Sequence, residues 1–399
     1  MTGNVTLPRK ELFDIPDGVI YLDGNSLGPL PKSVSGRVAD VVSQEWGERL
    51  IRGWNDCRWM QQPARVGDRI GRLIGAPAGS VVMGDTLSIK VYQALSAGLE
   101  MRPERKVVLS DSGNFPTDLY MAQGLLHSLG AGHELKVVEP EAVADAIDET
   151  VAVVMITEVD YRSGRLHDMA SITKQAHDAG AVMLWDLAHS AGAIPVDVTG
   201  SNCEFAVGCT YKYLNGGPGA PAFIYVRPDI IDQARPSLSG WMGHDEPFAF
   251  DRDYRPAPSI ERMRVGTPPV IQMSALEAAL DVWDGVDMTD IRSASIALSE
   301  RFIREVEARC PMLVLASPRD PQKRGSQVSF AFESGYAAMQ ALIDRNVIGD
   351  FRAPNIMRFG FTPLYLDEGD VVAAVDVLHD VLDNARWNDP KYLVRNAVT

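Results

Sequence analysis

"AVMLWDLAHSAGA", residues 181–193, is apolar from Ala181 to Trp185 and then stops on a carboxylate, Asp186. The apolar part is short and nearly continuous, as in a strand covered on both faces. An aspartate at the end of such a strand is costly unless a cation pairs with it. Ligands of open α/β sheets bind at the carboxyl ends of the strands, so the cation that Asp186 faces bears directly on function.

The same texture recurs on either side. "KVVLS" (106–110), "ELKVVE" (134–139), "VAVVMIT" (151–157), "FAVGCT" (205–210) and "PAFIYV" (221–226) read as further strands buried on both faces. Helix-length pieces, "PTDLYMAQGLLHSLG" (116–130) and "MASITKQAHDAG" (169–180), separate the early ones, and Gly180 marks a helix stop. This βαβ rhythm predicts a mostly parallel sheet. Past about residue 270 the texture changes. "QMSALEAALDVWDGV" (272–286) reads as a helix, followed by shorter strand-like pieces, "MLVLAS" (312–317), "QVSFAFE" (327–333) and "IMRFGF" (356–361). Val371, Val375, Leu378 and Leu382 then fall at the spacing of an amphipathic helix. The expected class is α/β, with a large domain over 46–285 and a smaller α+β domain over 286–399. Residues 1–45 are expected to form an arm or part of the small domain.

The 399-residue chain has a formal net charge of −15. Nucleic acid and anionic membrane surfaces require a basic face, so neither is expected as a partner. Cys57, Cys203, Cys209 and Cys310 show no Cys-x-x-Cys pairing, which predicts neither a metal site nor a disulfide framework. No apolar run reaches the ~18 residues of a membrane span. The opening "MTGNVTLPRKELFDIPDG" lacks the apolar core of a secretory signal, so a cytoplasmic location is expected.

Residues just after the strands carry the chemistry. "YKYLNGGPGAPAF" (211–223) puts Lys212 directly after a strand, with Tyr211 beside it and a glycine-rich turn behind. Most strand-end lysines are simply solvated, but one set between two apolar strands is partly buried, and burial makes it a usable amine nucleophile. In "VVMGDTLSIKVYQALSAGL" (81–99), Val81 and Val82 give way to Gly84, Asp85 and Thr86, and Leu87, Val91, Ala94, Leu95 and Gly98 mark one helix face. Such a helix start suits a phosphate, although a plain N-cap by Asp85 or Thr86 reads the same way. Phe115, held extended by Pro116, can point into a site or pack in the core, and Thr117 can act as a helix cap. A strand-end aspartate, a strand-end lysine beside a tyrosine and a phosphate-type helix start are the set that pyridoxal phosphate (PLP) needs: the aspartate keeps the pyridine nitrogen protonated and is thereby paired. His189 can hold that aspartate, line the ring or be merely structural.

These residues lie in motifs, "YLDGNSLGPLP" (21–31), "FPTD" (115–118), "DLAHSAGA" (186–193), "YKYLNGGPG" (211–219), "SGWMGH" (239–244), "RVGTPP" (264–269) and "MRFGFTPLY" (357–365), that in this order resemble the kynureninases. That family belongs to the fold-type-I PLP enzymes related to class V aminotransferases. The resemblance implies that Lys212 forms the Schiff base, Asp186 contacts the pyridine nitrogen with His189 close by, and Phe115 stacks on the ring. Pro116, Thr117 and Asp118 would sit beside it. Leu87 and Ser88, with Thr86, would bind phosphate, "GDTLS" aligning in either of two registers. Tyr211 would bind phosphate and transfer protons. Trp241 and Thr267 would complete the phosphate site from the neighbouring subunit of a homodimer, Thr267 standing where some members carry asparagine. Arg358 would grip the substrate α-carboxylate, with Trp54, Asn25 and Ser26 on the substrate side. The implied reaction is hydrolytic β,γ-cleavage of L-kynurenine, a step of tryptophan catabolism, to anthranilate and L-alanine. Whether 3-hydroxykynurenine is also taken stays open.

Read from residues alone, Trp54 and Trp59 near Arg52 can hold an aryl ring or pack a subunit interface, and Arg358 can be a surface ion pair. A cysteine desulfurase or selenocysteine lyase would share the cofactor residues and add a reactive cysteine on a mobile loop. Cys310 looks structural and Cys57 stays open for that part. A cofactor-free α/β binding protein would pair Lys212 with Asp186.

Overall fold

Seven strands make the central sheet: β1 (Val81–Met83), β2 (Val107–Asp111), β3 (Glu134–Val138), β4 (Val151–Thr157), β5 (Val182–Asp186), β6 (Phe205–Gly208) and β7 (Phe223–Val226). The computed structural model describes residues 6–130 and 132–394. The first and last five residues of the expected arm and small domain lie outside them. The sheet runs β1-β7-β6-β5-β4-β2-β3. β3, β2, β4, β5 and β6 are mutually parallel, while β7 is antiparallel to both its neighbours. Helices α1 (Leu87–Glu100), α2 (Pro116–Leu129) and α3 (Met169–Asp178) make the early crossovers, as parallel pairing requires. Apolar clusters cover both faces of the sheet, one built on Val82, Leu95, Leu125, Val153 and Leu184, the other on Ile70, Val154, Ile156, Trp185 and Leu276.

Every residue of β4 and β5 is buried, in keeping with their unbroken apolar runs. β3 departs from the expectation of a strand covered on both faces. It lies at the sheet edge with Glu134 exposed, and its charged residues belong on such an edge. β6 and β7 each lose two residues at the ends that face each other, because 209–222 leave the ladder to form the lysine loop. α3 starts on a cap in which Asp168 accepts from Ser171 N at 3.0 Å, and Gly180 follows it with φ 78°. The helix expected at 272–286 begins earlier and stops sooner, as α4 (Val270–Ala279) with a tighter turn at Leu280–Trp283.

Beyond it, α5 (Met288–Arg309), α6 (Gly335–Ile343) and α7 (Glu368–Asp383) pack with a four-stranded antiparallel sheet ordered β10-β11-β9-β8. Its strands are β8 (Val314–Leu315), β9 (Gln327–Ala331), β10 (Asp350–Arg352) and β11 (Ile356–Gly360). The N-terminal segment joins this unit: Ile20–Tyr21 pair in parallel with Val347–Ile348, and Gly360 N donates to Leu22 O at 2.7 Å. It then crosses to the large sheet, where Gly28 N donates to Tyr211 O at 2.8 Å. A Cβ at Gly28 would stand 2.4 Å from Lys212 O and Asn215 Oδ1, so only glycine allows this approach to the lysine loop.

Candidate active site

The carboxyl ends of β2, β4, β5 and β6 share one edge of the sheet, and the starts of α1 and α2 follow the ends of β1 and β2 there. A cavity of about 240 Å³ opens at that edge, lined by Leu87, Ser88, Phe115, Thr117, Asp118, Thr157, Tyr161, Asp186, Ala188, His189, Tyr211 and Lys212.

Lys212 rides on a loop pinned at its base. Thr210 Oγ1 donates to Pro221 O at 2.7 Å, Gly216 N to Thr210 O at 2.8 Å, and Asn215 N to Lys212 O at 2.9 Å. Asn215 takes φ 59° and Gly217 φ 83° to close the turn. The Lys212 ammonium donates to His189 Nε2 at 2.9 Å. Burial, then the charge of Lys212, holds His189 well below the usual imidazole range. The ring is therefore neutral, Nε2 accepts, and Nδ1 carries the proton. That Nδ1 is buried without a partner.

Two carboxyls meet at the cavity floor. Asp186 accepts from Ala188 N at 2.8 Å and is pushed up to about 6, by burial, with Lys212 pulling it back. Burial, then the charge of Asp186, raises Asp118 well above the usual carboxylate range. Near neutral pH one proton sits on Asp118 and the charge sits on Asp186. Asp118 Oδ2 accepts no hydrogen bond. The Lys212 ammonium, hydrogen-bonded to His189, acts on Asp186 by its charge, and among the described residues no salt bridge joins the two.

α1 starts without a side-chain cap: Thr86 is extended (φ −96°, ψ 164°) and its hydroxyl accepts nothing from the first turn. Leu87 and Ser88, not Thr86, reach the cavity wall. The free N–H groups and positive dipole end there suit an anion. Phe115 is extended before Pro116 (φ −65°, ψ 133°), and its ring meets Tyr161 edge-on at 5.2 Å.

Pro116 serves as the first residue of α2 and is not on the wall. Trp241 and Thr267 lie outside this chain's cavity, both exposed. Trp54 packs edge-on against Trp59 at 5.7 Å, away from the cavity. Asn25 is fully buried with both amide atoms unpartnered, and Ser26 accepts from Arg358 Nη2 at 2.9 Å. Arg358 is neither a surface ion pair nor a wall residue: it is buried against Asp350, to which Nε donates at 2.6 Å. Thr157, Tyr161 and Ala188 are further wall residues, beyond those expected from the sequence. Thr157 ends β4 as Asp186 ends β5, so the strand-end rule would have found it. Tyr161 sits in an irregular loop that carries no such signal.

Glu158, next to Thr157, is buried with Oε2 unpartnered, and burial pushes it up to about 7. A carboxyl raised on folding binds more protons folded than unfolded between about 4.5 and 7, so it lowers stability as pH rises through that window, by about 3 kcal/mol at most. We expect Glu158→Gln to unfold later than wild type at pH 7.5 and not at pH 4.5. Urea titrations at both pH values check this, and equal midpoint shifts at the two would refute it.

The walls fit PLP. Asp186 is a buried carboxylate lacking a cation, Asp118 Oδ2 and His189 Nδ1 are buried polar atoms lacking partners, the helix start is uncapped, and an aromatic ring and a lysine amine stand on the same wall. The group would be held by Lys212, by Asp186 at its ring nitrogen, by Phe115 on its face and by the Leu87–Ser88 amides at its phosphate.

Known proteins agree with this geometry. Residues 291–378 match the model of the kynureninase C-terminal domain. A kynureninase of Burkholderia pseudomallei (strain 1106a) is 50% identical over 98% of this chain and 96% of its own length. One of Pseudomonas fluorescens is 48% identical over the same shares. In fold, an apo cysteine desulfurase of Thermococcus onnurineus NA1 superposes with TM-score 0.80 at 18% identity, covering 96% of this chain and 99% of that one. A C-DES mutant with glycine covalently linked to the PLP cofactor superposes at 0.78 with 17% identity, covering 94% and 99%. The desulfurase likeness reaches the fold of the PLP enzymes and stops there, whereas the sequence likeness runs the whole length: the chain belongs to the kynureninase family.

Proposed function

We propose that this protein hydrolyses L-kynurenine to anthranilate and L-alanine with PLP at Lys212, in the cytoplasm and as a homodimer. The observation that carries the reading is near-50% identity along almost the whole chain to proteins named kynureninase, with Lys212, Asp186, Phe115 and an uncapped helix start around one cavity. When bound, PLP supplies the electron sink that stabilises negative charge at the substrate's Cα. The chain's own groups do the rest. The Lys212 amine, once free, takes the Cα proton, and neutral His189 accepts its hydrogen bond and keeps it aimed. Asp186, ionised at neutral pH, holds a proton on the ring nitrogen. Tyr211, raised above its ordinary value first by the neighbouring Cys209 and then by burial, keeps its phenol proton and can donate it to the leaving side. Water is added across the β,γ bond, hydroxyl to the aryl carbonyl carbon and hydrogen to the alanine side, which balances the reaction.

A desulfurase chemistry needs a stabilised thiolate at the surface. Burial raises the thiols of Cys57, Cys203, Cys209 and Cys310 instead, Cys310 to about 11. Exposed Trp241, Phe248 and Phe250 stack edge-to-face in sequence at 5.8 and 6.3 Å on this chain's surface, which suits covering by a second copy. Trp241 and Thr267 would there complete the partner's phosphate site.

The test is anthranilate release, followed by its fluorescence, from L-kynurenine by PLP-loaded protein. Release in step with L-alanine supports the reading, and absence of both while L-cysteine is turned over would reverse it. Arg358→Lys keeps the charge and loses the fork. If one charge-assisted bond to the α-carboxylate goes, KM for kynurenine should rise on the order of 10-fold or more. kcat should fall as well because the Cα–H bond loses its orientation. Cofactor absorbance should not change. Steady-state kinetics decide, and an unchanged KM would move the carboxylate partner elsewhere, Arg52 included.

A further inference from the structure

β9 of the small sheet begins at Gln327, which is fully buried and follows Ser326. Both residues reach across to the cavity. Ser326 Oγ donates to Ala193 O at 2.7 Å, in the turn that carries His189. Gln327 Nε2 donates to Tyr161 O at 2.9 Å, and Tyr161 stands on the wall. The same strand holds the next carbonyl of that loop, since Ser329 Oγ donates to Arg162 O at 2.5 Å. The approach is close: Gly164 takes φ 74°, and a Cβ there would stand 2.9 Å from Gln327 Cγ.

His189 and Gln327 have complementary groups left over. Lys212 donates to His189 Nε2, so that nitrogen accepts and Nδ1 carries the proton. Gln327 turns its amide nitrogen to Tyr161, which leaves Oε1 as an acceptor. His189 Nδ1 and Gln327 Oε1 are both buried, and neither has a partner in hydrogen-bond geometry. A buried donor and a buried acceptor are costly until they meet. The side chain of Gln327 acts on His189 as a hydrogen-bond partner, against the charges of Lys212, Arg358 and Arg352.

We propose that Gln327 is a positioning residue for the lysine. Its Oε1 takes the Nδ1–H of His189 and so locks the imidazole as the tautomer whose Nε2 aims the Lys212 amine, while its Nε2 fixes the Tyr161 wall. The inference rests on the reading above in which Lys212 takes the Cα proton. Gln327 is not on the cavity wall and acts only through His189 and Tyr161.

Gln327→Leu keeps most of the volume and loses the amide. Nitrogen-15 spectra of histidine-labelled protein, loaded with PLP and free of it, read the tautomer, with His189→Ala assigning the signals. Wild type should show a protonated Nδ1 and a bare Nε2 on His189, and Gln327→Leu should show the two averaged. Exchange of the Cα hydrogen of L-alanine by holoenzyme reads the lysine step. We expect it to slow on the order of 10-fold in Gln327→Leu, the loss of one buried hydrogen bond, and to slow no further when Gln327→Leu is added to His189→Ala. For kynurenine, kcat should fall more than KM rises. Gln327→Glu keeps an acceptor for Nδ1–H and should recover part of the exchange rate. It also serves if the leucine variant does not fold. An unchanged tautomer in Gln327→Leu, or losses that add in the double variant, would overturn the assignment. Wild-type holoenzyme that exchanges no alanine hydrogen would overturn the kynurenine reading, whose product is L-alanine, while the tautomer in cofactor-free protein still decides the role of Gln327.

Discussion

Lys212→Ala should lower kcat by at least ~10³-fold, toward the upper part of the range for a positioned general base, while its urea midpoint without cofactor stays near wild type. Among the described residues Lys212 is the one lysine on the cavity wall, on a loop whose fold depends on Thr210, Asn215 and Gly216 rather than on the lysine side chain. The obvious competitor is Lys90, which is more deeply buried and held down to about 8 by burial. Lys90 is satisfied by Gln93 Oε1 at 2.9 Å and Met263 O at 2.8 Å and does not reach the wall. Rapid-quench turnover of Lys212→Ala and Lys90→Ala distinguishes them. Near-normal turnover by Lys212→Ala would remove the lysine from the chemistry.

Asp186→Ala should lower kcat by roughly 10²–10³-fold, as loss of one preorganised charge does, and weaken PLP binding. Its effect on stability should have opposite signs with and without the cofactor. Folding raises the Asp186 carboxyl to about 6 because burial penalises its charge. The group therefore contributes against folding once pH passes its unfolded value, and fully so above about 6. Without PLP, Asp186→Asn should be at least as stable as wild type at pH 7.5. With PLP, whose ring nitrogen pairs the charge, wild type should gain more than the variant. Thermal unfolding with and without PLP reads both signs. Normal Cα hydrogen exchange in Asp186→Ala would leave the residue a structural role only.

How far the sequence reaches depends on where each signal is stored. β4 and β5 are legible because burial on both faces leaves an unbroken apolar run, and Asp186 is legible because it interrupts one. β3 misleads because an edge strand can look apolar in sequence while Glu134 and Val137 are exposed. Lys212 was legible as a strand-end residue beside a glycine-rich turn, and Thr157 could have been by the same rule. The wall role of Tyr161 depends on a ring contact with Phe115 made across 46 residues of chain, which spacing does not encode. The substrate role expected of Arg358 rests on its motif, whereas its pairing with Asp350 is not legible there. That pairing follows from the β10–β11 register, which exists only once the hairpin is built.

Borohydride reduction of the PLP-loaded protein, followed by peptide mass mapping, decides whether the cofactor sits on Lys212. A single pyridoxyl-modified lysine, Lys212, is expected in the peptide that contains "YKYLNGGPG", with loss of activity in proportion to the label. Label on Lys90, or active enzyme with no label on Lys212, would contradict it.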